Sequence, residues 1–172
     1  MFGEVGVFIG QALSIVAIIT GFISFQMKTP KGILAFQIVT ASVFSAHYFL
    51  INAPTAAMLN FLGVVMLVAY YLRGKQNKNG LFIPVFFTAL TIIASVLTWN
   101  GWYSVFIMLG CAANAVGMAL SNAQSIRKIY LIKSPLCLTY NIFVFSLGGI
   151  IYEVGTIISA IIGIIKNKKT QE

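Results

Sequence analysis

Apolar residues run through this chain in long stretches, and six short polar or Gly/Pro-containing breaks divide them into seven. The first stretch spans Val5 to Phe25 and stops at Gln26-Met27-Lys28-Thr29-Pro30-Lys31-Gly32. The second, Ile33 to Ile51, closes on Asn52-Ala53-Pro54-Thr55, a turn composition. The third runs from Ala56 to Leu72, up to Arg73 and a polar run ending at Gly80. The fourth, Leu81 to Thr98, is followed by Trp99 and Trp102, indoles suited to a membrane interface. The fifth begins near Tyr103 and ends between Leu120 and Gln124; the sixth ends at Leu147; the seventh is Ile150 to Ile165. A bilayer-spanning helix takes about 20 residues. The pattern therefore predicts an all-α membrane protein with seven transmembrane helices, which leave no length for a separate soluble domain.

Composition agrees. The chain is 59% apolar and 8% charged with a mean hydropathy of +0.96, against about 45–50% and about 25% for a soluble domain. The net charge of +8 sits at helix ends, where it orients the chain and meets anionic headgroups. It is not interleaved with base-stacking aromatics, so nucleic acid is not expected as a partner. All eleven Lys and Arg residues fall at every second break: Lys28 and Lys31; Arg73, Lys75 and Lys78; Arg127, Lys128 and Lys133; Lys166, Lys168 and Lys169. The breaks between, around Asn52 to Thr55, Asn100 to Gly101 and Ser146 to Gly149, are uncharged. Cytoplasmic loops keep Lys and Arg, which predicts the N-terminus outside and the C-terminus in the cytoplasm. The first stretch lacks a basic leader and is expected to be a span, not a cleaved signal. Cys111 and Cys137 have no CxxC neighbour and are expected to be packing residues.

With the fourth helix as a hinge, three helices lie on each side and both triplets insert in one orientation, a parallel repeat. The division is 1–73 for the first triplet, 74–101 for the linker and fourth helix, and 102–172 for the second triplet and tail. Lys28-Thr29-Pro30 opens the second helix, and Lys133-Ser134-Pro135 is expected to open the sixth. A second option starts the sixth near Ile129, with Lys133 snorkelling and Pro135 as a kink.

This plan, with Gln26 ending the first helix, resembles the SWEET, MtN3 and PQ-loop transporters. The runs Phe25-Gln26, His47-Tyr48-Phe49-Leu50 and Thr55 to Asn60 are similar to bacterial inner membrane proteins of the YgjV type. So are Arg127, Ser134-Pro135-Leu136, Tyr140-Asn141, Gly148-Gly149 and Glu153. The likeness covers essentially the whole chain and implies a bacterial inner membrane location, a 3+1+3 parallel fold and passage of small polar molecules such as sugars. The chain departs from the wider pattern in lacking a full Pro-Gln pair, since Gln26 follows Phe25 and Gln124 follows Ala123.

Ionisable groups within a span cost several kcal/mol unless a cavity or partner receives them. His47 and Glu153 are the two that qualify, and Asn60, Asn141 and Gln11 fall at comparable depth. A layer of polar groups from five helices suggests a lined cavity, to which Tyr48 and Tyr140 also belong; each could equally be interhelical glue or an interfacial belt residue. Gly6 and Gly10, and Gly110 and Gly117 with Asn114 and Ser121, suit close helix packing. The chain has no Asp, and its other carboxylates are Glu4 and Glu172, so no hydrolase or phosphate-loop signature can be assembled and no enzyme, cofactor or metal is expected.

The reading that follows is a transporter of a small polar solute, rocking one three-helix bundle against the other, with proton coupling an option and oligomeric state open. The alternatives are a membrane sensor or assembly protein whose polar layer locks the bundle, or a vitamin or nucleoside precursor carrier. Glu153 is expected to face His47, Asn60 or Asn141, so that Glu153→Gln would keep the fold and lose the function.

Overall fold

A computed structural model of the chain describes residues 3–27, 30–73, 82–119 and 123–168; the expectations placed on Lys28, Thr29, Lys75, Lys78, Ser121, Lys169 and Glu172 fall outside them. Seven helices follow in order: α1 (Gly3–Gln26), α2 (Pro30–Leu50), α3 (Pro54–Arg73), α4 (Phe82–Leu97), α5 (Ser104–Ala119), α6 (Ala123–Phe143) and α7 (Leu147–Lys168). Pro30 and Pro54 each occupy the first helical position, where a missing N–H is not needed. Asn52 and Phe145 adopt left-handed φ of 57° and 52° just past the ends of α2 and α6. Around them, Ala53 N–H donates to the Tyr48 carbonyl at 2.9 Å and Ser146 N–H to Asn141 at 3.0 Å. These are Schellman caps, and they turn α2 into α3 and α6 into α7 as tight hairpins.

Membrane-spanning length is where the expectation of seven transmembrane helices fails. Among the described residues, three helices are long and apolar enough to cross: Gly3–Ser24 of α1, Pro54–Leu72 of α3 and Leu147–Ile165 of α7. Helices α4 and α5 have 16 residues each, about 24 Å at 1.5 Å per residue, short of a hydrocarbon core of about 30 Å. The apolar part of α2 is Leu34–Leu50. Helix α6 has 21 residues but carries Arg127, Lys128 and Lys133 along with an internal Pro135. Lys133-Ser134-Pro135 therefore sits in the middle of α6 and does not open it, because the helix already begins at Ala123. The result is an all-α fold of seven helices with multi-pass character.

The helices close into a ring. Each of α1, α2, α3, α5, α6 and α7 packs on the next and α7 returns to α1, while α4 lies against α3 and α5. One buried core joins all seven, including Ala17, Phe44, Ala57, Ala94, Ile107, Tyr140 and Tyr152. That shared core overturns the expectation of two three-helix transmembrane bundles rocking in alternating access: the side chains that would have to part are packed together and hydrogen-bonded across the division. Large apolar side chains such as Phe8, Leu72, Phe82 and Leu97 point outward, as lipid-facing residues do.

The α1–α7 contact depends on a missing side chain. A Cβ on Gly148 would overlap the Ser14 side chain, and one on Gly149 would stand 2.5 Å from Asn141 Oδ1. At Gly63 nothing lies within 4 Å. Gly148→Ala should therefore cost about 2 kcal/mol through overpacking, whereas Gly63→Ala should be neutral or stabilising by up to about 1 kcal/mol through helix propensity. Melting curves of the two purified variants would test this, and equal melting temperatures would refute the close approach at Gly148.

Candidate functional site

The uncharged breaks meet at one end of the ring. Asn100 Nδ2 donates to the Asn52 carbonyl at 3.3 Å, and the Thr55 hydroxyl donates to the Thr98 carbonyl, so the α2–α3 and α4–α5 turns are joined. Gln11 Nε2 donates to the Phe145 carbonyl at 2.7 Å, tying α1 to the α6–α7 turn. His47, fully buried, bridges the same parts. Its Nδ1 lies 2.7 Å from the Gly10 carbonyl and its Nε2 lies 2.7 Å from Ser146 Oγ. A carbonyl can only accept, so Nδ1 carries a proton. The Ser146 oxygen already accepts from Gly149 N–H, and its own O–H can donate a hydrogen bond to Nε2, which satisfies a neutral imidazole completely. Gly10 makes this reach short: a Cβ there would stand 3.0 Å from Ile51 and 3.3 Å from the His47 carbonyl.

Deeper in the ring, α2, α3, α5, α6 and α7 line a cavity of about 90 Å³. Gln37, Thr40 and Tyr48 reach it from α2, Asn60 and Gly63 from α3, Cys111 and Asn114 from α5, Tyr130, Lys133 and Cys137 from α6, and Tyr152 and Glu153 from α7. Its two charges face each other, with Lys133 Nζ 3.8 Å from Glu153 Oε1 and side-chain exposures of 14% and 7%. The second carboxylate oxygen, Oε2, is buried and has no hydrogen-bond partner among the described residues. Lys133 Nζ also lies 5.3 Å over the Tyr130 ring, a cation–π distance. The α6–α7 hairpin pivots near Phe145, which puts Lys133 about one turn deeper than Glu153; the four-carbon stem covers that turn.

The predicted polar layer is thus divided. Glu153, Asn60 and Tyr48 line the cavity. His47 and Gln11 are held at the uncharged end by the bonds above. Asn141 joins the two groups, because its Oδ1 accepts from the Tyr48 hydroxyl at 2.7 Å. Tyr140 is fully buried beside Tyr103, with ring centroids 5.8 Å apart. Asn60 donates to the Ala56 carbonyl of its own helix at 2.9 Å. Glu153 does not meet His47; its partner is Lys133, which the sequence pattern assigned to a basic break. The available signal was a lone carboxylate within a span, which demands a cation on a neighbouring helix. Cys111 and Cys137 also escaped notice as a pair. Both are free and both line the cavity. Among the described residues no group of three or more His, Cys, Asp or Glu side chains could hold a metal ion.

Compared with known proteins, residues 8–171 match the model of a family described as Imp-YgjV, bacterial inner membrane protein. Neither a curated protein nor a solved structure matches the chain.

Proposed function

This chain belongs to the Imp-YgjV family of bacterial inner membrane proteins, and from that premise we propose that it binds a small polar solute within the bilayer, in the cavity bounded by Lys133 and Glu153. One observation carries the reading: an ion pair lines a cavity large enough for several waters, and a carboxylate oxygen there has no partner among the described residues. An ion pair that served packing alone would be expected to close fully, since each unsatisfied group at membrane depth costs several kcal/mol. Asn60, Asn114 and Gln37 add amide groups to the same wall. The His47 and Gln11 bonds hold the uncharged end shut around it. No reaction is assigned to the site. A kinship with SWEET and PQ-loop carriers belongs to the proposal as well, supported by the order of seven helices and by Gln26 at the end of α1.

The orientation proposed with it is N-terminus outside and C-terminus cytoplasmic. Its support is the alternation of charged and uncharged breaks, together with the joining of the uncharged turns at one end. Three crossings are an odd number and leave the termini on opposite sides, so a reporter enzyme active only in the periplasm should work when fused ahead of α1 and fail after Lys169. The reverse pattern would invert the protein.

Binding itself is tested by thermal shift of the purified full chain in lipid nanodiscs against pools of small polar metabolites. A ligand that binds only the folded state raises stability by RT ln(1 + [L]/Kd). The control is Gly63→Leu, whose side chain has open space ahead of it and would grow into the cavity that Gly63 lines. The shift should appear in the unaltered protein and vanish in that variant. A shift that survives Gly63→Leu would place the ligand elsewhere and remove the cavity from consideration.

A further inference from the structure

Charge, spacing and volume in the cavity narrow the ligand further, an inference that rests on the binding role proposed above. We propose that the solute is a small zwitterion of the amino-acid type, its carboxylate on Lys133 Nζ and its ammonium on Glu153 Oε2.

Charge comes first. Among the described residues Lys133 and Glu153 are the charged ones in the cavity wall, and their charges cancel. A solute with net charge would leave an uncompensated ion at membrane depth, which is strongly unfavourable. A zwitterion adds one charge of each sign and keeps the site neutral. Spacing comes second. At 3.8 Å the pair is too far apart for the 2.7–2.9 Å of a charge-assisted hydrogen bond. Lys133 therefore keeps donor capacity, and Glu153 Oε2 keeps its acceptor capacity whole. A ligand that carries one acceptor group and one cationic donor group satisfies both. A polyol could satisfy hydrogen bonds but would give the opposed charges no function.

Volume decides the size. A cavity of about 90 Å³, at about 30 Å³ of liquid volume per water, takes the space of about three waters, which suits a solute as small as glycine or alanine and not a hexose. The Asn114 amide in the same wall is left for the ligand's second carboxylate oxygen and ammonium hydrogens, whereas Thr40 Oγ1 is bonded to the Phe36 carbonyl and Thr20 Oγ1, and Asn60 Nδ2 to the Ala56 carbonyl.

The test is equilibrium binding of radiolabelled glycine and alanine to the purified full chain in nanodiscs, with competition by methylamine, acetate, glycerol and glucose. The zwitterions should bind, and each competitor should be at least tenfold weaker than unlabelled alanine. A second measurement uses Lys133→Met/Glu153→Met, in which both charges are removed together so that neither is stranded. Zwitterion affinity should fall at least tenfold in it. The competition series on the unaltered protein decides the matter even where that variant does not fold. Glycerol or glucose competing as well as alanine, or undiminished alanine binding in the folded double variant, would overturn the zwitterion assignment. A neutral ligand whose effect disappears in Gly63→Leu would sink the zwitterion and leave the cavity reading in place. No binding by any solute would remove both.

Discussion

Lys133→Met is expected to lower the melting temperature of the purified protein by on the order of 10 °C, the largest single-residue effect in the molecule. The substitution retains most of the apolar stem and removes the charge, which strands the Glu153 carboxylate at 7% exposure. Breaking a buried pair by deleting one partner costs about 3–5 kcal/mol, and for a chain of this size each kcal/mol is worth about 2–4 °C. Glu153→Met should do comparable damage by stranding Lys133. Glu153→Gln should also destabilise, contrary to the expectation from sequence that the amide would leave the fold intact, because the amide matches the carboxylate in size but leaves the ammonium without a counter-charge. The double replacement Lys133→Met/Glu153→Met should recover most of the loss, since apolar substitutes for a buried ion pair are often neutral or better. The check is a double-mutant cycle read by thermal melting in one detergent. Additive losses, with the double variant as unstable as the sum of the singles, would mean that the two side chains do not interact.

Where the chain breaks was legible, because the punctuation is chemical: Pro30, Pro54 and the Asn52 turn announce themselves. Phe145 does not, since a bulky residue rarely takes a left-handed φ, yet it caps α6 as Asn52 caps α2. The start of α6 was hidden for a different reason. Arg127, Lys128 and Lys133 look like loop residues when charges are read as topology signals, but they lie on a helix. Seven apolar stretches also do not amount to seven crossings, since α4 and α5 are mostly apolar yet short. The inner faces were the least legible feature. In water an apolar stripe marks the core, but in a bilayer lipid is as apolar as the core, so exposed Phe8 and buried Phe44 read alike. Polar residues are what distinguish the interior, and Glu153, Asn60 and Tyr48 do line one cavity. They could not show that Glu153 faces α6, or that His47 is consumed by Gly10 and Ser146, because those pairings depend on helix rotation.

That difference in pairing gives His47 a distinct expected phenotype. His47→Leu removes the bond to the Gly10 carbonyl and the bond to Ser146 Oγ, both at 2.7 Å and both buried. Interhelical bonds in bilayers are worth about 0.6 kcal/mol on average and up to about 1.7, but a buried group left dry costs about 1–3 kcal/mol. The expected loss is about 2–4 kcal/mol, below that of Lys133→Met. It should also be local: hydrogen exchange should rise in the α6–α7 turn around Ser146 and at the end of α2, where the Schellman caps meet the imidazole, and stay unchanged around Asn114 and Lys133. His47 does not line the cavity, so ligand affinity in the folded fraction should change by less than about threefold, a factor worth about 0.7 kcal/mol. Lys133 and Glu153 variants should instead lose ligand even under conditions where they remain folded. A His47→Leu protein that melts normally but no longer binds would move the imidazole from the scaffold into the site, and would require a ligand that reaches past Tyr48 to the uncharged end of the ring.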